Sequence, residues 1–485
     1  MSDSDTRLFQ EPFSRFMPGV LTSLTVLLGL LLGLAISHTF TTDPRSSYAI
    51  PIMLVILGTF VFLLFHHGVL ILLGALAIRS SLEAMSGFDI LGGLSLSSML
   101  AIGILVLTLI RLALDRKIPL AFNDRTFPYL LLAGWGLFSG LVINRSSWSF
   151  AVAGAEIARM LSNISIFWLV IAFVKTRKDF TLVLLAMVIS ALIPLAGGFW
   201  GLLQGSGTSV VLGIPSLVRI KGFFAHPNNY AHYLIIIGLC VYTFYRWSKI
   251  ERVRFEKHLL LLLSVIIASL VLTFSRSGLI GLVLAILLVG INNSRSLLKI
   301  LLLIAILGLI FALLFPSFIE YTFTQTLTSS DPSESTLASR YWIWEQGYEW
   351  ATINPVAGNG PDSFVKLVRI DAHNDYLRIL VEYGIPGLLF FGWVTLIQLK
   401  DGWRLMNASK RLLQINQRNI ETVDGISGFV DFQKGYILAR SFLSLLIAII
   451  VMGAGANIFN FPVLQWYVFA FWGLVVVYYE HLNRQ

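Results

Sequence analysis

The stretch LLLLLSVIIASLVLTFSRSGLIGLVLAILLVG, Leu259 to Gly290, holds two apolar runs that meet at Ser275-Arg276-Ser277. So short a turn between two such runs predicts a hairpin of membrane helices, with the Arg276 guanidinium near the membrane surface. The rest of the chain extends the pattern. Of 485 residues, 56% are hydrophobic and 13% charged, with a mean hydropathy of +0.80, which overrides the soluble multidomain expectation that length alone suggests. Apolar runs centred near residues 28, 57, 73, 100, 135, 164, 190, 237, 265, 284, 306, 392, 446 and 471 predict an all-α polytopic membrane protein. The run from Gly68 to Ile78 is short for a span, so about 12–14 transmembrane helices are expected.

Arg7 and Arg15 precede an apolar run longer than a signal-peptide core, which is read as a retained first span. With the N-terminus in the cytoplasm, about two thirds of the 35 lysines and arginines fall on cytoplasmic loops, and both termini are expected there. Basic clusters such as Arg246 to Lys257 then serve orientation, and no nucleic-acid partner is expected. Cys240, the single cysteine, sits in an apolar run, which excludes an intramolecular disulfide and argues against thiol chemistry. The expected division is an N-terminal helix bundle over 1–315, a large outward loop over 316–385 and C-terminal helices over 386–485. That loop is net negative in a chain of formal net charge +9. Leu337, Tyr341, Trp344 and Tyr348 recur at helical spacing, and a second helical run extends from His373 to Tyr383. Asn354-Pro355 and Gly358-Asn359-Gly360-Pro361 break the chain between them.

Chemistry is expected on this outward face. His373 follows Asp371, read as an N-cap, and so opens a helix whose Leu377, Leu380 and Val381 share its face. The partial positive charge of a helix N-terminus disfavours imidazolium, keeping the ring neutral as a general base requires. Asn374 and Asp375 serve the helix start, and Arg378 with Glu382 forms an i,i+4 surface pair. Arg219 and Lys221 share one outward loop, Arg276 occupies the tight turn, and Arg340 opens an aromatic helix. Such guanidinium groups suit a phosphate or pyrophosphate, the bland alternative being headgroup snorkelling. Arg159 lies inside its span three residues after Glu156, where it either belongs to a site or pairs with that carboxylate. With Asn374, these arginines and Lys221 are the candidate substrate-binding residues. Trp342, Trp344 and Trp350 are either sugar-stacking platforms or interfacial anchors. No HExxH pattern, carboxylate cluster or GxxxxGK loop is present, so neither metal nor cofactor is expected.

His373, Asn374, Gly384 and Gly387 meet the pattern of a histidine, then Asn, Ser or Gln, nine residues, Gly, two residues, and Gly, Thr or Tyr. In this the chain resembles the O-antigen ligase and polymerase superfamily of bacterial inner-membrane glycosyltransferases. Gly222-Phe223-Phe224 with Pro227-Asn228-Asn229, Thr273 to Gly278, Ser339-Arg340 and Gly358-Asn359-Gly360 also look like landmarks of that family, in order. The family's arginine followed four residues later by leucine is not met. Arg219 is followed there by Phe223, Arg276 by Ile280 and Arg340 by Trp344, which leaves the choice of arginine open. The resemblance implies transfer of a glycan from undecaprenyl pyrophosphate to an acceptor hydroxyl on the periplasmic side, without a metal. His373 would draw the acceptor proton while arginines stabilise the leaving pyrophosphate. A polymerase is the close alternative. A lipid-linked glycan transporter is the distant one, and would need charges across several mid-spans that this sequence lacks.

Overall fold

The computed structural model describes residues 69–70, 72–85, 89–91, 94–114, 123–143, 150–204, 210–211, 214–253, 255–290, 302, 313, 316, 336–416 and 423–484. The chain divides after Ala75, and the architecture below is that of the second unit, Leu76–Gln485. The spans expected near residues 28, 57 and 306, and residues 317–335 of the outward loop, lie outside the described residues.

The fold is that of an all-α polytopic membrane protein. In chain order the helices are α1 (Leu96–Leu114), α2 (Phe127–Ile143), α3 (Phe150–Phe173), α4 (Arg177–Ile189), α5 (Leu192–Leu203), α6 (Pro227–Ile250), α7 (Glu256–Leu272) and α8 (Arg276–Gly290). They continue as α9 (Thr336–Ile353), α10 (Ser363–Val368), α11 (Asp375–Asn416), α12 (Val423–Gly453) and α13 (Pro462–Asn483). Two small antiparallel hairpins accompany them: β1 (Asp89–Leu91) with β2 (Leu94–Ser95), and β3 (Val210–Val211) with β4 (Ile214–Val218). Among the described residues, Gly154–Phe173, Arg177–Leu203, Asp375–Ile415, Val430–Gly453 and Pro462–Asn483 are long and apolar enough to cross a membrane. Trp200, Leu203, Leu261, Ile280, Leu389 and Leu396 are exposed on the helix surfaces, which suits a hydrocarbon surround better than water. The hairpin of Leu259–Gly290 is present as α7 and α8.

α13 is the most enclosed of the candidate spans, packed against α3, α11, α12 and α6. Its Trp472 stacks on Phe167 of α3, with ring centroids 4.1 Å apart, and donates to Asp401 of α11 at 3.0 Å. Asp401 also pairs with Arg125 at 3.1 Å, and Lys434 pairs with Glu251, so the charges carried on these helices are held by one another.

Two helix interruptions follow from proline. Pro194 in α5 cannot donate to the carbonyl of Ser190, and the hydroxyl of Ser80 takes that carbonyl instead at 2.8 Å. The second interruption divides α11. Gly384 has φ 67° and ψ −169°, and Pro386 follows it. Pro386 leaves the Glu382 carbonyl without its helical donor, and Gly360 N–H supplies one at 2.9 Å. The Val381 carbonyl accepts from Asn359 N–H at 2.8 Å and the Tyr383 carbonyl from Trp135 Nε1 at 2.8 Å, while Ile385 N–H donates to Pro355 at 2.8 Å. A Cβ on Gly384 would strike the Val356 carbonyl, and one on Gly358 the Glu382 carbonyl, so both positions need glycine for space as well as for positive φ.

The first segment of α11, residues 375–383, is thereby fixed between two apolar clusters. Val381, Leu377 and Leu380 face Ile343, Ala351, Phe364 and Val368 of α9 and α10. Ile379 and Tyr383 face Leu132 of α2 and Phe391. Between these faces runs the Arg378–Glu382 pair, which the sequence places on the surface and the structure buries. The two side chains are 5% and 3% exposed and meet at 3.0 Å. Glu382 accepts from Phe364 N–H at 3.3 Å and Arg378 reaches Asp362 at 3.4 Å, so the covering α10 turns a surface pair into a buried one.

Gly384→Ala should lower stability by roughly 3 kcal/mol or more, read by thermal unfolding in detergent, because strain and a backbone clash add. Gly392→Ala, with open space around its Cα on the same helix, should leave the melting temperature unchanged. Arg378→Met should cost about 3–5 kcal/mol by stranding Glu382, and the double variant with Glu382→Leu should recover most of that loss. Equal melting temperatures for the single and double variants would show that the pair is not coupled.

Candidate functional site

His373 lies outside the helix it was expected to open. α11 begins at Asp375, and the cap is Asn374, whose Oδ1 accepts from Tyr376 N–H at 3.0 Å and Leu377 N–H at 3.1 Å. Asp371 therefore does not cap the helix. It pairs loosely with Arg378, at 4.0 Å. Asp375 does not serve the helix start either. Its carboxylate accepts from Ile458 N–H at 2.8 Å and Phe459 N–H at 3.3 Å, tying the head of α11 to the loop between α12 and α13. His373 has φ 47°, a left-handed conformation that histidine tolerates better than most residues. Its neighbours hold it there: the Ala372 carbonyl accepts from Trp344 Nε1 at 2.9 Å on one side, and Asn374 is locked as the cap on the other.

Burial and the charge of Arg340 beside it push the His373 imidazole below the usual histidine range, against a smaller upward pull from Asp371. The ring is thus disposed to be neutral, as expected, though the cause is desolvation and a guanidinium and not a helix terminus. Arg340 projects from α9 toward the α12–α13 loop, where its Nη1 would lie 3.7 Å from a Cβ placed on Gly455. Burial and Arg276 lower its own proton affinity.

Arg219 is fixed from two directions, by Nε to the Thr273 carbonyl at 2.8 Å and by Nη2 to Asn228 Oδ1 at 2.9 Å. Burial, then Arg276, bring it down to about 10, which leaves it cationic at neutral pH. Arg276 starts α8, where Ser275 Oγ accepts from Gly278 N–H at 3.2 Å, and its charge bears on both Arg219 and Arg340. Lys221 and His373 bear in turn on His226, the N-cap of α6. Residues from the β4–α6 loop, the α7–α8 turn, α9 and the segment before α11 thus form one linked cationic group, with Arg340 beside His373. Asn374 takes part as the cap that positions His373.

Arg159 is placed differently. It pairs with Glu156 at 2.9 Å, and Glu156 lines a pocket with Tyr129, Asp375, Arg378, Glu382 and Gln465. Trp344 and Trp350 pack into the cluster beneath α9, which accounts for them structurally, whereas Trp342 is exposed. His226 and Asn228 are not among the candidate site residues read from sequence; Asn228 enters there only within the landmark Pro227-Asn228-Asn229, and the signal beside His226 is Pro227, a residue type that favours a helix start. Among the described residues no three His, Cys, Asp or Glu side chains converge as a metal set would.

The electrostatic cause of the His373 shift is open to measurement. By NMR titration His373 should titrate below 6.5, and Arg340→Gln should move the transition upward, since removing a positive neighbour makes imidazolium easier to form. A transition unmoved by Arg340→Gln would leave burial as the whole cause.

Comparison with curated proteins finds no match. Residues 258–392 match the family model described as O-Antigen ligase. The matched segment takes in α7, α8, α9, α10 and the first part of α11, and with them Arg276, Arg340, His373 and Asn374; Arg219 and Lys221 lie before it. This match, which carries the histidine and two of the arginines, supports the resemblance to the O-antigen ligase and polymerase superfamily over that segment.

Proposed function

We propose that this multi-pass membrane protein transfers a glycan from undecaprenyl pyrophosphate to an acceptor hydroxyl on the periplasmic face of the bacterial inner membrane. The observation that supports this is a chain of neighbours from three separate segments: Arg340 acts on His373, whose proton affinity is lowered, and Arg276 acts on both Arg340 and Arg219. His373 takes the proton of the acceptor hydroxyl as its oxygen bonds to the anomeric carbon. The bond from that carbon to the pyrophosphate oxygen breaks, and undecaprenyl pyrophosphate leaves with the electron pair. Charge gathers on a group that permanent cations already face, so little reorganisation is needed in the transition state. Guanidinium groups suit the task because they remain charged and bind phosphate oxygens in pairs. Ligase and polymerase chemistry make the same bond, and the acceptor, lipid-borne core or growing glycan, distinguishes them. Transport is less well supported, because Arg125, Arg177 and Lys434 are paired with Asp401, Asp431 and Glu251.

His373→Ala should abolish transfer in a purified assay while leaving the melting temperature near that of the wild type, since the ring fills no core position. Full activity would remove the base assignment. Orientation is testable separately. Glu349→Cys on the exposed side of α9, in a Cys240→Ser background, should react with a membrane-impermeant thiol reagent in intact spheroplasts. Reaction only after lysis would place α9 in the cytoplasm and exclude a periplasmic reaction.

A further inference from the structure

Arg219 and His226 stand on either side of Asn228. The Asn228 side chain accepts from Arg219 Nη2 at 2.9 Å, and its backbone N–H donates to His226 Nδ1 at 3.1 Å. The second bond fixes the tautomer. With Nδ1 occupied as an acceptor, a neutral His226 carries its proton on Nε2, and that N–H makes no hydrogen bond among the described residues. The residue keeps part of its surface open to solvent, and its electrostatic neighbours are Arg219, His373, Lys221 and, with opposite sign, Asp371. We propose that His226 is a substrate-binding residue, donating from Nε2 to an oxygen of the same pyrophosphate that Arg219 holds. This rests on the donor assignment made above.

The chemistry favours a neutral donor at this position. A further cation beside Arg219, Lys221 and Arg276 would raise the repulsion among them, whereas an imidazole N–H adds a hydrogen bond without charge. Burial and these cations push His226 down to about 4, in keeping with a neutral ring at working pH. The capping bond has its own role, since it satisfies a free N–H at the start of α6. One side chain thus does two things through two nitrogens, and the two can be separated.

His226→Asn retains a good N-cap acceptor but removes the distal N–H, whereas His226→Gln retains a distal N–H and caps less well. The full chain in phosphatidylcholine nanodiscs would be titrated with inorganic pyrophosphate and with undecaprenyl pyrophosphate, alongside thermal unfolding. His226→Asn should melt as the wild type does and bind both probes about tenfold more weakly, the size expected for one hydrogen bond to a charged group. His226→Gln should melt lower and bind within about threefold of wild type. Wild-type affinity in His226→Asn for either probe would overturn the proposal, as would equal loss of affinity in the two variants. Weakened transfer with unchanged pyrophosphate binding would also overturn it, by placing the hydrogen bond on the glycan. Arg219→Ala is the control that separates the two levels: if it too binds both probes normally, the donor assignment fails. If Arg219→Ala alone weakens binding, only the role of His226 fails.

Discussion

The carbonyls of Val381, Glu382 and Tyr383 have to find donors in a setting where water cannot supply them, and the rest of the site depends on how they do so. Gly384 and Pro386 end the first segment of α11, and the backbone of Asn359 and Gly360 with the indole of Trp135 takes over the freed acceptors. A buried carbonyl left without a donor costs roughly 1–3 kcal/mol, so this set of bonds leaves the 355–360 loop little freedom to lie elsewhere. The loop carries α9 on one side and α10 on the other, which places the aromatic face of α9 over residues 375–383. His373 inherits its position from that sandwich.

The cationic group has the opposite energetic character. Each arginine makes the next harder to keep charged, and the structure offsets this with fixed acceptors: the Thr273 carbonyl and Asn228 hold Arg219. Mutual repulsion of this kind is what a polyanionic group would relieve. His373 belongs to the same balance, since the charge of Arg340 discourages it from holding a proton.

Much of this was legible in the sequence. Apolar runs over Leu259–Gly290 predict the hairpin, and Leu377, Leu380 and Val381 share the buried face of α11. Two features were not legible because each depends on a distant segment. Arg378 and Glu382 have the spacing of a surface pair, and only the packing of α10 over them makes them a buried one. Asp375 has the sequence position of a helix-start residue, but its acceptors are filled by the backbone at 458–459. The capping of α6 by His226 is local, two residues from the Asn228 N–H it accepts, and was not legible because histidine is not among the residues that favour an N-cap.

The bond from Asp375 to the backbone of Ile458 and Phe459 bears on how far the proposed catalytic unit is separable from the rest of the chain. The family match ends at residue 392, yet the head of α11 is anchored to a loop some sixty-five residues beyond it, and Arg219 enters from about forty residues before it. A chimera that transplanted residues 258–392 alone would carry His373 without the backbone that anchors the helix after it, and Arg276 without the Arg219 on which its charge acts. The arrangement as it stands is therefore a property of the whole span from the β4–α6 loop to the start of α13, and a substitution at either margin can disturb it as one within the matched segment can.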